Sequence, residues 1–184
     1  MVGDMDEFWV FGYGSLMWNP GFAYEFRSPA RAFGYRRSLC IRSFVHRGTE
    51  ERPGLVLGLD RGGSCLGVAF KVPQSDHEPA LAYLRERELV TNVYTERVMP
   101  IRLADGAVVR AVTYVVDRHH PQYAGAVTVE EAAEIVRHAE GRSGPNPQYV
   151  WNTVEHLRAL GIRDHWLEDV ARRVSVPGEA PKPG

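Results

Sequence analysis

The sequence predicts an α+β fold whose strands pair mostly antiparallel. Strand-like segments dominate residues 8–116, whereas the last third of the chain shows helical patterns. Two of the strands are joined by Asp105-Gly106, a dipeptide typical of tight hairpins. Strands that precede most of the helices and connect through hairpins indicate α+β rather than the regular alternation of an α/β protein.

Six short segments are predicted to be strands because they are apolar or alternate apolar with polar residues, and because turn residues bound several of them. Arg61-Gly62-Gly63 is interpreted as a turn between the third and the fourth strand. The six segments are residues 8–11, 33–45, 55–59, 66–72, 94–103 and 108–116.

Four helices are predicted. Ser75 with Glu78, and Thr128 with Glu131, have the spacing of a capping box, in which the two side chains satisfy free N–H groups at the start of a helix. Gly141 is interpreted as a C-terminal cap. The predicted helices cover about residues 75–88, 128–140, 147–160 and 164–174.

The composition is that of an ordinary globular protein, with 44% hydrophobic and 24% charged residues among 184. We predict a single domain over residues 8–174. Residues 175–184 are rich in proline and glycine, and we expect a disordered tail there. Cys40 and Cys65 lie in apolar surroundings, which favours reduced core thiols over a disulfide. Because no CxxC pair is present, a zinc site formed by thiolates is not expected.

Charge and hydropathy argue against several partners. With a net charge of −1, no large face is expected to attract nucleic acid or an anionic membrane. No apolar run approaches the ~18 residues of a membrane span, and the acidic segment 1–7 lacks the basic start of a signal peptide. The chain is therefore predicted to be cytoplasmic, to act on a small molecule, and to be a monomer or a weak homo-oligomer.

A glycine-rich turn, Gly12-Tyr13-Gly14-Ser15, follows the first predicted strand. Such a turn exposes successive N–H groups, which can form a nest for a carboxylate or phosphate oxygen. A plain turn fits the local pattern equally well. Met17 replaces the third glycine of a dinucleotide-binding fingerprint. Tyr13 and Met17 also replace the glycines of a nucleophile elbow, which argues against Ser15 as a nucleophile.

Glu88 occupies a position where the helical pattern calls for an apolar residue. At ~100° per residue, Leu81, Leu84 and Glu88 share one side of the helix, and Glu86 points to the other. A carboxylate on an apolar stripe loses hydration, which raises its pKa and suits proton transfer near neutral pH. On spacing alone, a structural role is favoured, either as an ion pair with a neighbouring arginine or at a frayed helix end.

The run Asp117-Arg118-His119-His120-Pro121 suggests a metal site at first sight. Adjacent residues point to opposite sides of a strand or helix, so the two histidines cannot chelate together. We expect a solvated loop there, and we predict neither a metal nor a cofactor.

Residues 8–20, Phe-Trp-Val-Phe-Gly-Tyr-Gly-Ser-Leu-Met-Trp-Asn-Pro, closely resemble the opening of bacterial ChaC proteins, the glutathione-specific branch of the γ-glutamylcyclotransferases. The resemblance spans about residues 8–170 in order. It continues through Arg47-Gly48-Thr49, Pro53-Gly54, Leu66-Gly67-Val68-Ala69-Phe70, Arg87-Glu88-Leu89 followed by Tyr94, residues 117–123, and Asn146 with Tyr149.

The resemblance implies a γ-glutamylcyclotransferase-like fold, a small β-barrel with flanking helices. It implies cleavage of glutathione to 5-oxoproline and cysteinylglycine without a cofactor. It maps the catalytic glutamate of the family onto Glu88, in agreement with the helical stripe. It also assigns the γ-glutamyl moiety to the turn, so the predicted substrate-binding segment is Val10, Phe11, Gly12, Tyr13, Gly14, Ser15 and Leu16.

Three further residues are candidates for substrate contacts. Arg42 is a candidate to pair with a substrate carboxylate. Tyr123 and Tyr149 are candidates to line the pocket or to donate hydrogen bonds, and a core position fits each of them equally well.

Two other functions stay open. The same chemistry on other γ-glutamyl peptides or amines fits the sequence. ChaC-like proteins have also been described as cation transport regulators, which would make the chain a non-enzymatic binding protein. The carboxylate on an apolar stripe favours the enzyme, because a pure adaptor has no evident need for it.

Overall fold

The computed structural model describes residues 7–89 and 91–174. Contacts divide the chain into two compact units. Unit 1 comprises Met1–Arg37 and Leu59–Asp117, and unit 2 comprises Ser38–Gly58 and Arg118–Gly184. The single domain expected over residues 8–174 stays a prediction, and the tail expected at residues 175–184 lies outside the described residues.

Five strands form a closed barrel in the order β1-β3-β2-β4-β5. The pairs β1–β3, β2–β4 and β4–β5 are antiparallel, and the barrel closes through a parallel pair, β1–β5. The predicted α+β barrel with mostly antiparallel strands is therefore confirmed. The strands are β1 (Phe8–Gly12), β2 (Phe26–Ser43), β3 (Gly54–Val72), β4 (Tyr94–Leu103) and β5 (Val108–Val116).

The predicted turn at Arg61-Gly62-Gly63 is wrong. β3 is one strand of 19 residues, and Gly62 and Gly63 take φ values of 107° and 64° within it. The glycines accommodate a local distortion of a continuous strand instead of a reversal of the chain. The start of β2 was also predicted seven residues too late. Its first half buries the small residues Ser28, Ala30 and Ala32, which give a weak alternation signal.

In unit 1, α1 (His77–Glu88) follows a 3₁₀ turn at Gln74–Asp76. The capping box predicted at Ser75 is wrong, because Asp76 is the N-cap and no side chain caps the helix. Ser75 lies inside the 3₁₀ turn, where its hydroxyl is 3.5 Å from Asp76 Oδ2. Residues of α1, the strands and the segment after β1 share a hydrophobic cluster made of Phe8, Val10, Leu16, Val72, Ala80, Leu84, Val112 and Tyr114.

Unit 2 is mainly helical. The capping box of Thr128 and Glu131 is confirmed at the start of its first helix. Gly141 does not cap that helix, because it pairs with Gly144 in a two-stranded sheet. Asn146 is fully buried and exchanges two hydrogen bonds with the backbone of Leu55. The elements are α2 (Val129–His138), β6 (Glu140–Gly141), β7 (Gly144–Pro145), α3 (Asn146–Ala159) and α4 (His165–Val174).

Within the two described ranges, every helix is too short or too polar to cross a membrane.

Candidate active site

The turn after β1 is built by a close approach of backbone segments. A 3₁₀ turn at Ser15–Met17 follows, and its residues Leu16 and Met17 are buried. A Cβ on Gly12 would stand 3.0 Å from the Leu16 Cβ, so a side chain there would require the turn to shift by a few tenths of an ångström. Glycine is favoured here for its lack of a side chain rather than for a positive φ.

Several backbone N–H groups of this turn have no hydrogen-bond acceptor among the described residues. Met17 N–H donates to the Gly14 carbonyl at 2.9 Å. Among residues 7–89 and 91–174, no acceptor contacts the N–H groups of Gly14, Ser15 and Leu16. The first N–H groups of a helical turn have no acceptor within it. They are therefore available to an oxygen from a ligand, as the nest interpretation of the sequence requires.

Two arginines hold the turn from different elements of unit 1. Arg37 of β2 donates to the carbonyls of Tyr13 and Leu66, each at 2.6 Å. Arg87 of α1 donates from Nη2 to Ser15 Oγ and from Nη1 to the Asn19 carbonyl, each at 2.7 Å. The turn is thus fixed relative to both the barrel and the helix that carries Glu88.

Glu88 is the last residue of α1, and its side chain is 17% exposed. Leu84, one turn earlier, is fully buried, whereas Glu86 is exposed. Burial raises the pKa of the Glu88 carboxyl, and the nearby Arg87 guanidinium partly opposes that rise. The predicted apolar stripe and the predicted direction of the pKa shift are both confirmed.

The ion pair weighed for Glu88 is present as well. Arg87 Nε lies 3.6 Å from Glu88 Oε1, beyond hydrogen-bond distance. The other neighbouring arginine, Arg85, instead donates to both carboxylate oxygens of Glu96 at 3.0 Å. Glu88 is therefore attracted by a cation but receives no strong hydrogen bond that would fix it as a permanent anion.

Tyr114 interacts electrostatically with Glu88 and is hydrogen-bonded to Glu96. The Tyr114 hydroxyl donates to Glu96 Oε2 at 3.1 Å. Burial raises the pKa of Tyr114, and the charges of Glu96 and Glu88 raise it further. Tyr114 therefore stays a neutral phenol, and it lies close enough to Glu88 for the two groups to interact electrostatically.

The pairing of Glu96 with Tyr114 was not predicted. In the β4–β5 hairpin the two are direct cross-strand partners. A hairpin turn fixes the register of its strands, and a two-residue turn at Asp105-Gly106 would place Val115 opposite Glu96. The Leu103 N–H donates to the Ala107 carbonyl at 2.8 Å, so the loop is one residue longer and the register moves by one, to Tyr114.

The predicted site residues fall into two groups. Residues 10–16 and Glu88 all belong to unit 1. The side chains of Val10 and Phe11 are fully buried, so they support the turn from the core. Ser15 Oγ is bound to an arginine, whereas a serine nucleophile needs a base.

The other three predicted residues belong to unit 2 and contact one another or the backbone. Arg42 Nη1 lies 3.5 Å from the Tyr123 carbonyl. The Tyr149 hydroxyl accepts from the Leu57 N–H at 2.9 Å, and the Arg47 guanidinium lies 5.5 Å from the centre of the Tyr149 ring. Their roles in substrate binding stay predictions.

Comparisons with known proteins show the family of the chain. The family model described as ChaC-like protein matches residues 8–176. A protein of Escherichia coli K12 named glutathione-specific gamma-glutamylcyclotransferase is 35% identical over 167 residues, which cover 91% of this chain and 72% of that protein. The protein of the same name from Schizosaccharomyces pombe is 33% identical over 173 residues, which cover 83% of each chain.

A solved structure supports the fold. The crystal structure of a gamma-glutamyl cyclotransferase specific to glutathione from yeast superimposes with a TM-score of 0.80. The two chains are 23% identical, and the match covers 91% of this chain and 95% of the yeast chain. The barrel with its helices is therefore an architecture that both chains share.

Proposed function

The chain belongs to the ChaC-like protein family, and we propose that it is a glutathione-specific γ-glutamylcyclotransferase. It converts glutathione to 5-oxoproline and cysteinylglycine. The observation that carries the proposal is Glu88, a largely buried carboxyl with a raised pKa in the same compact unit as the turn with available N–H groups.

The reaction needs no nucleophile from the protein. The α-amine of the γ-glutamyl group attacks its own γ-carbonyl carbon, which closes a five-membered ring and breaks the amide bond to cysteine. Two protons leave the α-ammonium and two arrive on the departing amine, so the overall reaction neither consumes nor releases protons. Because the attack is intramolecular, the protein must mainly hold the folded substrate and move these protons.

Glu88 is the proton carrier in this proposal. As a carboxylate it accepts a proton from the α-ammonium, and as a carboxylic acid it returns a proton to the departing amine. A carboxyl with a raised pKa performs both steps near neutral pH better than an ordinary surface glutamate. The raised pKa of Glu88 and the lack of a strong hydrogen bond to it support this role.

The turn supplies the complementary donors. The N–H groups of Gly14, Ser15 and Leu16 bind the anionic end of the γ-glutamyl group, or the carbonyl oxygen that gains charge during the attack. Arg42, Tyr123 and Tyr149 remain proposed contacts for the rest of the substrate.

The cellular setting is part of the proposal. Cys40 and Cys65 are buried reduced thiols, which suits the reducing cytoplasm that we propose for this protein. We further propose that it acts as a monomer or a weak homo-oligomer. Light scattering over a range of protein concentrations measures that state directly.

The test compares the wild type with Glu88→Gln. Glutathione is the substrate. Both products, 5-oxoproline and cysteinylglycine, are quantified, and equal amounts of the two are expected. Removing a general acid–base group is expected to lower turnover by about 10²–10⁴-fold. Glu86→Gln is the matched control, because it alters an exposed glutamate on the opposite side of the same helix. Turnover by Glu88→Gln at the rate of this control would overturn the role of Glu88.

A panel of substrates tests the specificity. Glutathione, a γ-glutamyl dipeptide without the glycine residue, and a γ-glutamylamine are compared by kcat/KM. Preference for glutathione is the expected result. Equal kcat/KM for all three would assign the chain to general γ-glutamyl cleavage, and release of 5-oxoproline from none of them would favour the non-enzymatic binding protein.

A further inference from the structure

We propose that Arg87 is a positioning residue, which ties the substrate-binding turn to the end of α1 so that the turn and Glu88 keep one geometry. The inference rests on the proposed function. It concerns a side chain that the sequence interpretation treated only as a neighbour of Glu88.

The Arg87 guanidinium joins three groups from separate parts of unit 1. Nη2 donates to Ser15 Oγ at 2.7 Å, and Nη1 donates to the Asn19 carbonyl at 2.7 Å. Nη1 also lies 3.2 Å from the Tyr83 hydroxyl, one helical turn earlier. The two contacts with the segment after β1 bridge 72 and 68 positions of the chain. One side chain therefore fastens both ends of the 15–19 segment to α1.

The acceptors of Arg87 in the segment after β1 are neutral oxygens, Ser15 Oγ and the Asn19 carbonyl. Arg37 likewise donates to two carbonyls, those of Tyr13 and Leu66. Among the described residues, the carboxylate within ion-pair distance of Arg87 is that of Glu88, at 3.6 Å. The positive charge is thus placed beside the proton carrier while the N–H groups of the guanidinium are used by the turn.

A second contact brings the same segment against α1. Gly21 has a φ of 74°, and a Cβ at this position would overlap the Tyr83 hydroxyl. Tyr83 and Arg87 are one helical turn apart, so the segment 15–21 follows one face of the helix. Arg87, which directly precedes Glu88, contacts this segment at the C-terminal end of the helix.

Arg85, on the same helix, differs from Arg87 in its exposure and in its acceptors. Its side chain is 53% exposed and pairs with Glu96, whereas the Arg87 side chain is 22% exposed and has neutral acceptors. The planar fork of a guanidinium reaches two acceptors at fixed angles, which a lysine ammonium on a flexible stem does not reproduce. The geometry therefore requires arginine for the tether, and only a positive charge for the effect on Glu88.

Two titratable groups interact with the Glu88 carboxyl, Arg87 of α1 and Tyr114 of β5. Tyr114 in turn donates to Glu96 of β4, which pairs with Arg85 of α1. Glu96 is already neutralised by Arg85, and Tyr114 stays protonated. Removing Arg87 therefore leaves the burial of Glu88 unopposed, which raises the pKa of its carboxyl further.

The test separates the tether from the charge by two substitutions, Arg87→Met and Arg87→Lys. For Arg87→Met we expect kcat/KM for glutathione to fall by at least about tenfold, and the acidic limb of its pH profile to move to higher pH. For Arg87→Lys we expect the acidic limb to stay in place, because the charge remains, while KM rises because the fork is lost. Arg97→Gln removes an exposed arginine of β4 and should leave both quantities unchanged.

Amide hydrogen exchange tests the tether without measuring turnover. The amides of Met17, Trp18 and Asn19 donate to carbonyls of Gly14 and Ser15. They are expected to exchange about tenfold faster in Arg87→Met than in the wild type, with the strands of the barrel unchanged. If Arg87→Met exchanges faster than the wild type but the wild type releases no 5-oxoproline, the proposed function is refuted and the tether stands. A wild-type pH profile and wild-type KM in folded Arg87→Met, or a wild-type KM in Arg87→Lys, would overturn the inference.

Discussion

Glu88 in unit 1 and Glu168 in unit 2 are both helical glutamates withdrawn from solvent, with side chains 17% and 8% exposed. Arg163 donates two hydrogen bonds to Glu168, at 2.7 and 2.8 Å, and these lower the pKa of its carboxyl to about 2. The described residues give Glu88 no hydrogen bond, only Arg87 at 3.6 Å, and burial raises its pKa.

The contrast shows that withdrawal from water does not by itself decide what a carboxyl does. Donors that match both oxygens fix Glu168 as an anion, because a hydrogen-bonded carboxylate is stabilised over the acid. Burial without such donors raises the pKa of the Glu88 carboxyl. One glutamate is a structural anion, and the other is a group whose protonation state can change.

The largest expected effect compares the two glutamates by activity. Glu88→Gln should lose about 10²–10⁴-fold in the release of 5-oxoproline, whereas Glu168→Gln should keep kcat within about twofold of the wild type. Both are assayed at a temperature at which circular dichroism shows them folded. A loss of similar size in both variants would remove the functional distinction between them.

The next effect compares them by stability. Arg163→Gln should lower the free energy of unfolding at pH 7, because Glu168 loses two hydrogen bonds and keeps the more distant Arg158, at 3.7 Å. Since the pKa of Glu168 is depressed, this contribution is complete above about pH 4.5 and is lost as the pH falls towards 2. Urea titrations at pH 7 and pH 3 should therefore differ more for the wild type than for the variant.

The matched control for that measurement is Arg172→Gln. Arg172 pairs with Asp169 on the surface of the same helix, and both side chains are well exposed. Exposed pairs contribute about 0–1 kcal/mol. A loss as large as that of Arg163→Gln would contradict the special position of Glu168.

The smallest effect has the opposite sign. Because the pKa of folded Glu88 is raised, the wild type should lose stability as the pH rises from about 4.5 through that raised value. Glu88→Gln lacks this loss, so its free energy of unfolding at pH 8 should exceed that of the wild type. If the free energies of unfolding of the wild type and of Glu88→Gln change in parallel from pH 4 to pH 8, the raised pKa of the Glu88 carboxyl is contradicted.

The position of Glu88 could be predicted from the sequence because it depends on a local period. Leu84 and Glu88 are four residues apart on a helix, and this spacing alone places them on one side. The contacts of Arg87 could not be predicted in this way. Its acceptors, Ser15 and Asn19, are more than 60 positions away, and no local pattern tells which arginine of α1 reaches them.

The glycines mark a second limit of sequence interpretation. The residues at positions 62 and 63 have positive φ values, but a glycine pair allows a turn and a distorted strand equally. The choice depends on pairing with other strands of the barrel, which the pair itself does not encode. The hairpin at Asp105-Gly106 was predicted correctly because its flanking strands pair with each other and need no third partner.

The parallel closure of the barrel has a consequence for how the protein is made on the ribosome. β1 is the first strand to be synthesised, yet Trp9 pairs with Lys71 of β3 and with Ala111 of β5. Both partners are translated much later, and pairings so distant in the chain form slowly. The turn that begins at the end of β1 therefore takes its final form only after β5 has left the exit tunnel. A nascent chain arrested before that point would carry all of its catalytic residues and still be inactive.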